Sequence, residues 1–296
     1  MLRTPYHLCE TDLVDLHTHS HANDGAWRPA TLARAAAAAG IRVLALTDHD
    51  TLAGVADLAG EAAAVGIYAI PGIEVSSRWE NAIYHVLLYD FDPRHPALAG
   101  LLADLWQEVV AVAARGRDEL RGRGYPLPDL ERLAGDQAPL PFHVLLAALH
   151  AGMAADFQGV VQLLVGEMGL SFAAGADMAA VVGAAHAAGG VAILAHPGRT
   201  EYGFTPADPA TIARMAEATG LDGIEVYHWS HGPAEVATFG RLAAERGLLV
   251  SCGSDSHGPN SLRRLHGWEA RLCRDLLRRF GFVVGAADRA RAEGSR

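Results

Sequence analysis

The sequence predicts an α/β fold, a distorted (β/α)7 TIM-like barrel with a helical insertion. Three observations predict it. Short aliphatic runs alternate with Ala/Leu-rich helical stretches; those runs are apolar on successive residues, as in a sheet covered on both faces; and residues 95–176 break the rhythm without a strand.

Strands are expected at residues 13–16, 43–46, 67–75, 83–89, 191–195, 223–226 and 248–252, where β-branched and aliphatic residues cluster. Helices at 29–39, 52–64, 178–188, 209–218 and 234–246 are closed by Gly40, Gly66, Gly189, Gly220 and Gly247, glycine being the residue that ends a helix at least cost. Strand then helix, repeated, implies a parallel sheet. Helical segments at 97–123, 143–151 and 157–168 surround a turn-rich 124–141, and this insertion is expected over the C-terminal rim as a substrate-specifying lid. The barrel then comprises 12–94 and 177–284, with an amphipathic closing helix over 271–279.

Composition removes several classes. With 296 residues, 50% apolar and 20% charged, the chain can bury a sizeable core and is neither disordered nor a disulfide scaffold. No uninterrupted apolar run reaches about 18 residues, and the start lacks a basic-then-apolar leader, so a cytoplasmic protein without a membrane partner is expected. Cys9, Cys252 and Cys273 form no CxxC pair and read as reduced structural thiols. A net charge of −10 argues against capture of long nucleic acid. All 24 basic residues are arginine, which excludes Schiff-base chemistry, a Walker lysine and a carbamylated-lysine bridge.

Fifteen histidines point to metal or proton chemistry, and their placement matters more than their number. The first strand ends in Asp15-Leu16-His17-Thr18-His19, followed by Asp24-Gly25; residues i and i+2 of an extended segment point the same way, so two imidazoles can meet one ion. The second strand ends in Thr47-Asp48-His49-Asp50 and the third bears Gly72-Ile73-Glu74. The fourth contains His85, the fifth ends in His196-Pro197-Gly198-Arg199 and the seventh in Gly253-Ser254-Asp255-Ser256-His257. In a barrel these ends share one rim, where several strands supply a single site. Imidazole and carboxylate without thiolate suit zinc, manganese or iron. Nine candidates, His17, His19, Asp24, His49, Glu74, His85, His196, Asp255 and His257, exceed the three protein ligands of a single catalytic zinc, so two or three divalent ions are expected.

The remaining polar residues have assigned places. Arg199 and Arg78 can reach a phosphate oxygen, since guanidinium grips it bidentately. His228 and His231, after the sixth strand, can donate to phosphate or protonate a leaving alkoxide, or serve as loop histidines. Asp48 is expected to orient His49 or a neighbour and Asp50 to cap a helix starting near Thr51. Arg115, Arg117, Arg121 and Arg123 read as a solvated helical face or a nucleotide contact, Trp79 and Tyr227 as packing or base stacking, and His143, His150 and His186 as non-ligands.

In this order the motifs Asp-Leu-His-Thr-His-Ser, Thr-Asp-His-Asp, Pro-Gly-Ile-Glu-Val-Ser, Ala-His-Pro-Gly-Arg and Gly-Ser-Asp-Ser-His-Gly resemble the PHP (polymerase and histidinol phosphatase) family over residues 12–92 and 178–258. The similarity is to the branch of metal-dependent phosphoesterases that includes nucleoside 3′,5′-bisphosphate phosphatases. It implies a trinuclear site: His17, His19, Glu74 and Asp255 on one ion, Asp24, His49 and His257 on a second, Glu74, His85 and His196 on a third, and a metal-activated hydroxide as nucleophile. The insertion departs from that branch, with Leu140-Pro141-Phe142-His143 and Gly166-Glu167-Met168-Gly169 where arginine and lysine contacts are typical. The expected activity is phosphomonoester hydrolysis on a small phosphorylated metabolite, in particular a nucleotide, either a nucleoside 3′,5′-bisphosphate or a monophosphate. The alternatives are a 5′→3′ exonuclease or oligonucleotide phosphodiesterase, a histidinol-phosphatase-like enzyme, and a metal-binding accessory domain.

Overall fold

The computed structural model describes residues 6–135, 137–200, 205–259 and 264–286. The first half runs β1 (Tyr6–Cys9), β2 (Leu13–Thr18), α1 (Pro29–Ala38), β3 (Ile41–Leu46), α2 (Val55–Ala64), β4 (Tyr68–Trp79) and β5 (Ala82–Tyr89). Four helices follow, α3 (Pro96–Gly122), α4 (Leu130–Ala134), α5 (Pro141–His150) and α6 (Phe157–Val161), the last continuing into a π-helical turn at Gln162–Glu167. The second half runs β6 (Ala176–Asp177), α7 (Met178–Ala187), β7 (Val191–Leu194), α8 (Pro209–Thr219), β8 (Gly223–His228), α9 (Pro233–Arg246) and β9 (Leu249–Gly253). It closes with β10 (Trp268–Glu269), a 3₁₀ turn at Ala270–Cys273, α10 (Arg274–Arg279) and β11 (Phe282–Gly285).

Local chemistry explains the boundaries. Proline occupies the first turn of α1, α3, α5, α8 and α9, where its missing N–H costs nothing. The Asp177 and Asp208 side chains accept from the N–H of Ala180 and Thr211 and so cap α7 and α8. Gly220 and Gly247 end α8 and α9 at φ of 80° and 65°, the left-handed region that favours glycine.

The main sheet has the order β10-β2-β3-β4-β5-β7-β8-β9, with β6 paired to β4. It curls until its two ends nearly meet: the His19 N–H donates to the Ser256 carbonyl at 3.0 Å and the Asp255 N–H to the His17 carbonyl at 2.8 Å. The expected all-parallel (β/α)7 sheet needs correction. β5 runs antiparallel to both β4 and β7, because only Glu80 and Asn81 join it to β4, and two residues make a hairpin but cannot make a crossover.

Inside, Val14, Leu16, Val43 and Leu87 pack down onto Leu276, Leu277, Phe280 and Phe282 of α10 and β11. The far end is therefore an apolar plug, and the buried polar groups gather at the opposite rim. The closing helix expected over 271–279 is a 3₁₀ turn followed by the short α10.

Over α3 mean hydropathy adds what a count of uninterrupted apolar residues leaves out. Interrupted only by a few charges, this helix reaches a mean hydropathy of 1.5 over 18 residues and is long and apolar enough to cross a membrane. In the fold its Leu105, Val109 and Val112 join the core beneath α7, while Ala113 and Leu120 pack with Val144 and Ala147 of α5. Arg117, Arg121 and Arg123 pair with Asp118, Glu131 and Glu119 on its outer side. Trp79 and Tyr227 are half-buried against the core.

Candidate metal centre and active site

Glu74 is fully buried in β4, and imidazoles surround it. Its Oε2 lies 3.0 Å from His17 Nε2, 3.2 Å from His19 Nε2 and 3.3 Å from His49 Nδ1. Its Oε1 lies 2.7 Å from His85 Nδ1 and 2.9 Å from His196 Nε2. Burial alone would raise its pKa, but the charges of His49, His17 and His85 hold the carboxyl well below the ordinary range.

The other candidates complete the ring. Asp255 Oδ1 is 3.1 Å from His19 Nε2, and His17 Nε2 is 3.1 Å from His19 Nε2, so four donors from His17, His19, Glu74 and Asp255 face one point. Ligand atoms about 2.0–2.2 Å from a common tetrahedral ion sit roughly 3.3–3.6 Å apart, so this spacing fits a divalent cation. A second group joins Asp24, His49 and His257 with the far side of His19. There His257 Nε2 is 3.1 Å from Asp24 Oδ2, and the buried His19 Nδ1 and Asp24 Oδ1 have no hydrogen-bond partner. His257 Nδ1 donates to the Asp255 carbonyl at 2.8 Å, which leaves Nε2 as the lone-pair nitrogen aimed at that group.

Strand geometry brings these residues together. His17, His49, His196 and Asp255 lie at or just past the C-terminal ends of β2, β3, β7 and β9. His85 lies in the first half of β5, not near its end as the sequence reading held, and reaches the same rim because that strand runs antiparallel. His196 and Asp255 hold φ of 25° and 49°, a conformation costly for L side chains and typical of functional positions.

Three buried Asp–Ser clamps stitch the rim. Asp15 accepts from the Ser254 N–H and hydroxyl at 2.9 and 2.6 Å, Asp48 from those of Ser20 at 2.5 and 2.6 Å, and Asp50 from those of Ser76 at 2.7 and 2.8 Å. Burial pushes Asp15 up to about 7, Asp50 up to about 6, and Asp48 upward. Two expectations are thereby corrected. Both Asp48 oxygens accept from Ser20 and not from His49, so Asp48 anchors the loop after His19; Asp50 binds Ser76, and α2 starts only at Val55.

Among the substrate candidates, Arg199 is brought in and Arg78 is not. Arg199 is buried, with Nη1 3.2 Å from Asp255 Oδ2. Arg78 instead pairs with Glu108 of α3 at 2.7 Å on an exposed surface. The two histidines after β8 also separate. His231 Nδ1 donates to the Val226 carbonyl at 3.0 Å and its Nε2 accepts from the Gly198 N–H at 3.0 Å, so neither nitrogen is left for substrate; it pins the loop that carries Arg199. His228 is buried, its Nδ1 accepts from the Ser230 N–H at 3.3 Å, and its Nε2, without a hydrogen bond, lies 3.6 Å from Asp255 Oδ2.

Sequence reasoning missed Glu225. Fully buried on β8, it accepts from His17 Nδ1 at 3.0 Å and from the His196 N–H at 2.8 Å. Burial by itself would lower the His17 pKa, but the charges of Glu225 and Glu74 outweigh it and hold the ring well above its ordinary value. The available signal was a carboxylate between Ile224 and Val226 in a core strand, a placement that needs a partner. Glu225→Gln is expected to weaken metal affinity about 10–100-fold, the range for a group that orients a ligating histidine. Competition against a chelator checks this, and unchanged affinity would remove Glu225 from that role.

Comparison with known proteins agrees with this geometry. The PHP domain model matches residues 15–121. A 5′-3′ exoribonuclease of Haemophilus influenzae is 33% identical over 252 residues, 84% of this chain and 91% of that one. A 3′,5′-nucleoside bisphosphate phosphatase of Chromobacterium violaceum is 33% identical over 254 residues, 83% and 87% of the two chains. A solved structure described as an amidohydrolase from Chromobacterium violaceum, with bound sulfate, superposes with a TM-score of 0.79 at 32% identity, over 90% of this chain and 96% of that one. A nearly closed sheet with clustered histidines and carboxylates on one rim is an arrangement that can hold divalent cations, and the relatives are named for hydrolysis of phosphate esters. The chain belongs to the PHP family.

Proposed function

We propose that the chain hydrolyses phosphomonoesters of small phosphorylated metabolites, nucleotides in particular, with two or three divalent ions of manganese, zinc or iron. The observation that carries this is Glu74, one carboxylate shared by five imidazoles, which is what bridging of adjacent cations requires. In this reading His17, His19, Glu74 and Asp255 would hold one ion, Asp24, His49 and His257 a second, and Glu74, His85 and His196 a third. Divalent cations there supply charge against the phosphoryl oxygens and acidify water for attack.

The protein's own groups do the rest. Arg199 grips a phosphoryl oxygen beside Asp255, held in place by the loop that His231 pins. His228 presents Nε2–H to a phosphoryl oxygen or to the leaving oxygen, because Ser230 occupies its Nδ1. Residues 95–176 form the lid over the barrel of 12–94 and 177–284.

The exoribonuclease relatives favour a second reading, 5′→3′ cleavage of short RNA. Offering the manganese-loaded protein a nucleoside 5′-monophosphate, a nucleoside 3′,5′-bisphosphate and a 5′-phosphorylated RNA trimer separates the two. Inorganic phosphate from the mononucleotides supports the phosphatase. Nucleoside monophosphates released from the trimer, with the mononucleotides untouched, would overturn it.

A further inference from the structure

We propose that Cys252 and Cys273 are a redox modification site, a thiol pair that a small peroxide converts into an internal disulfide fastening β9 to the segment that closes the barrel. The hydrolysis proposed above uses neither thiol. Cys252 lies in β9 and Cys273 ends the 3₁₀ turn at Ala270–Cys273, 21 positions further on, yet both are buried and their Sγ atoms are 3.6 Å apart. Sulfurs this close have to approach by only about 1.5 Å to reach a bond of roughly 2.05 Å. Backbone carbonyls stand ready for both thiol protons: Cys252 Sγ is 4.0 Å from the Val14 carbonyl and Cys273 Sγ is 3.9 Å from that of Ala270. With the protons turned there, sulfur faces sulfur.

The two thiols have different access. A surface cavity of about 420 Å³ is lined by Cys273 together with Leu248, Leu249, Val250, Arg271 and Arg274. Hydrogen peroxide fits it easily. Cys252 sits behind Cys273, and burial and the neighbouring sulfur hold its thiol well above the ordinary range. Cys273 is therefore the thiol that meets the oxidant, and Cys252 the one that resolves the product.

The chemistry closes on one equivalent of peroxide. Cys273 Sγ attacks one oxygen, the O–O bond breaks, and water leaves with a sulfenic acid remaining on Cys273. Cys252 Sγ then displaces the sulfenic hydroxyl to form the S–S bond, and that hydroxyl departs with the Cys252 proton as a second water. Two thiols give up two electrons and the peroxide takes both.

The turn yields, and the strand stays. β9 is paired with β8 from Leu249 to Gly253, and at Gly253 even an added Cβ would strike His17, so Cys252 has no room to travel. Cys273 lies at the junction of the 3₁₀ turn and the short α10, where a small rotation brings it in. The bond closes a ring of chain between β9 and α10, which takes freedom from the unfolded state and so stabilises the fold.

The test treats the purified protein with equimolar hydrogen peroxide, blocks the remaining thiols and digests with trypsin without reductant. The expected result is peptide 247–263 joined to peptide 272–274, the product two hydrogens lighter than its parts and separated again by dithiothreitol. The thermal midpoint of the oxidised protein should rise by about 5 °C or more. Cys9→Ala should keep both outcomes and Cys273→Ala should lose both. A cross-link through Cys9, a cross-link between two molecules, or a midpoint that does not rise in the bonded protein would overturn the proposal. So would recovery of Cys252 and Cys273 as blocked free thiols after Cys9 has been oxidised. The wild-type peptide map needs no variant to fold, and no readout uses phosphate release, so the result is independent of the proposed activity.

Discussion

Glu74→Gln is expected to lose more than about 100-fold in phosphate release and to bind at least one ion fewer than wild type. Groups one step removed from a ligand already cost 10–100-fold, and Glu74 is in direct reach of five histidines. Glutamine keeps the shape but removes the charge that pulls His17, His19, His49, His85 and His196 together, and it turns one acceptor oxygen into a donor facing imidazole. The metal-free protein should suffer too, because losing one partner of a buried ionic network costs about 3–5 kcal/mol. Metal content, phosphate release and the thermal midpoint of the metal-free protein check these outcomes. Full retention of metal and rate would mean that the cluster is structural and the chemistry lies elsewhere.

Gly253→Ala should be nearly as damaging, through sterics alone. At the end of β9 an added Cβ would fall 2.0 Å from His17 Cβ and 2.8 Å from both Glu225 Oε1 and the His17 backbone nitrogen. None of these can swing away, since His17 is held by its strand and Glu225 by two hydrogen bonds. Overpacking of this kind costs about 1–3 kcal/mol, and moving a positioned group by about 1 Å costs on the order of 100-fold in rate. Gly60→Ala on α2 is the control: its Cβ would meet nothing within 4 Å, so the change should be neutral or stabilise by about 0.5–1 kcal/mol. Thermal midpoints and metal content of the two variants give the comparison; a Gly253→Ala protein as stable and as metal-replete as Gly60→Ala would show that β2 and β9 are not locked as described.

Seven of the strands and the nine candidates for holding metal could be picked out in the amino-acid order because each depends on local pattern, aliphatic runs with polar residues at one end; the short β1, β6, β10 and β11 carry too few residues to show it and were not expected. The direction of β5 was less legible. A hairpin of Glu80 and Asn81 carries no glycine, and Glu80 supplies the positive φ itself, so the break between the strands expected at 67–75 and 83–89 carried no hairpin signal. The Asp–Ser clamps were illegible for another reason. Asp48 is next to His49 in the chain, yet its hydrogen bonds go to Ser20, 28 residues away on the neighbouring strand end.

Residue types and their order determined by themselves that this protein gathers imidazoles and carboxylates, without lysine or a CxxC pair, at strand ends. Composition and spacing are properties of the chain, and they already limit which ions and reactions it can serve. Only the tertiary structure decided how those groups divide the work: Glu225 behind His17, His231 spent on Gly198 while His228 keeps Nε2 open, Arg199 inside and Arg78 outside. Those outcomes depend on which backbone amide or carbonyl arrives within about 3 Å of a side chain. Sheet closure sets that distance between residues up to 239 positions apart, and separation along the chain does not encode it.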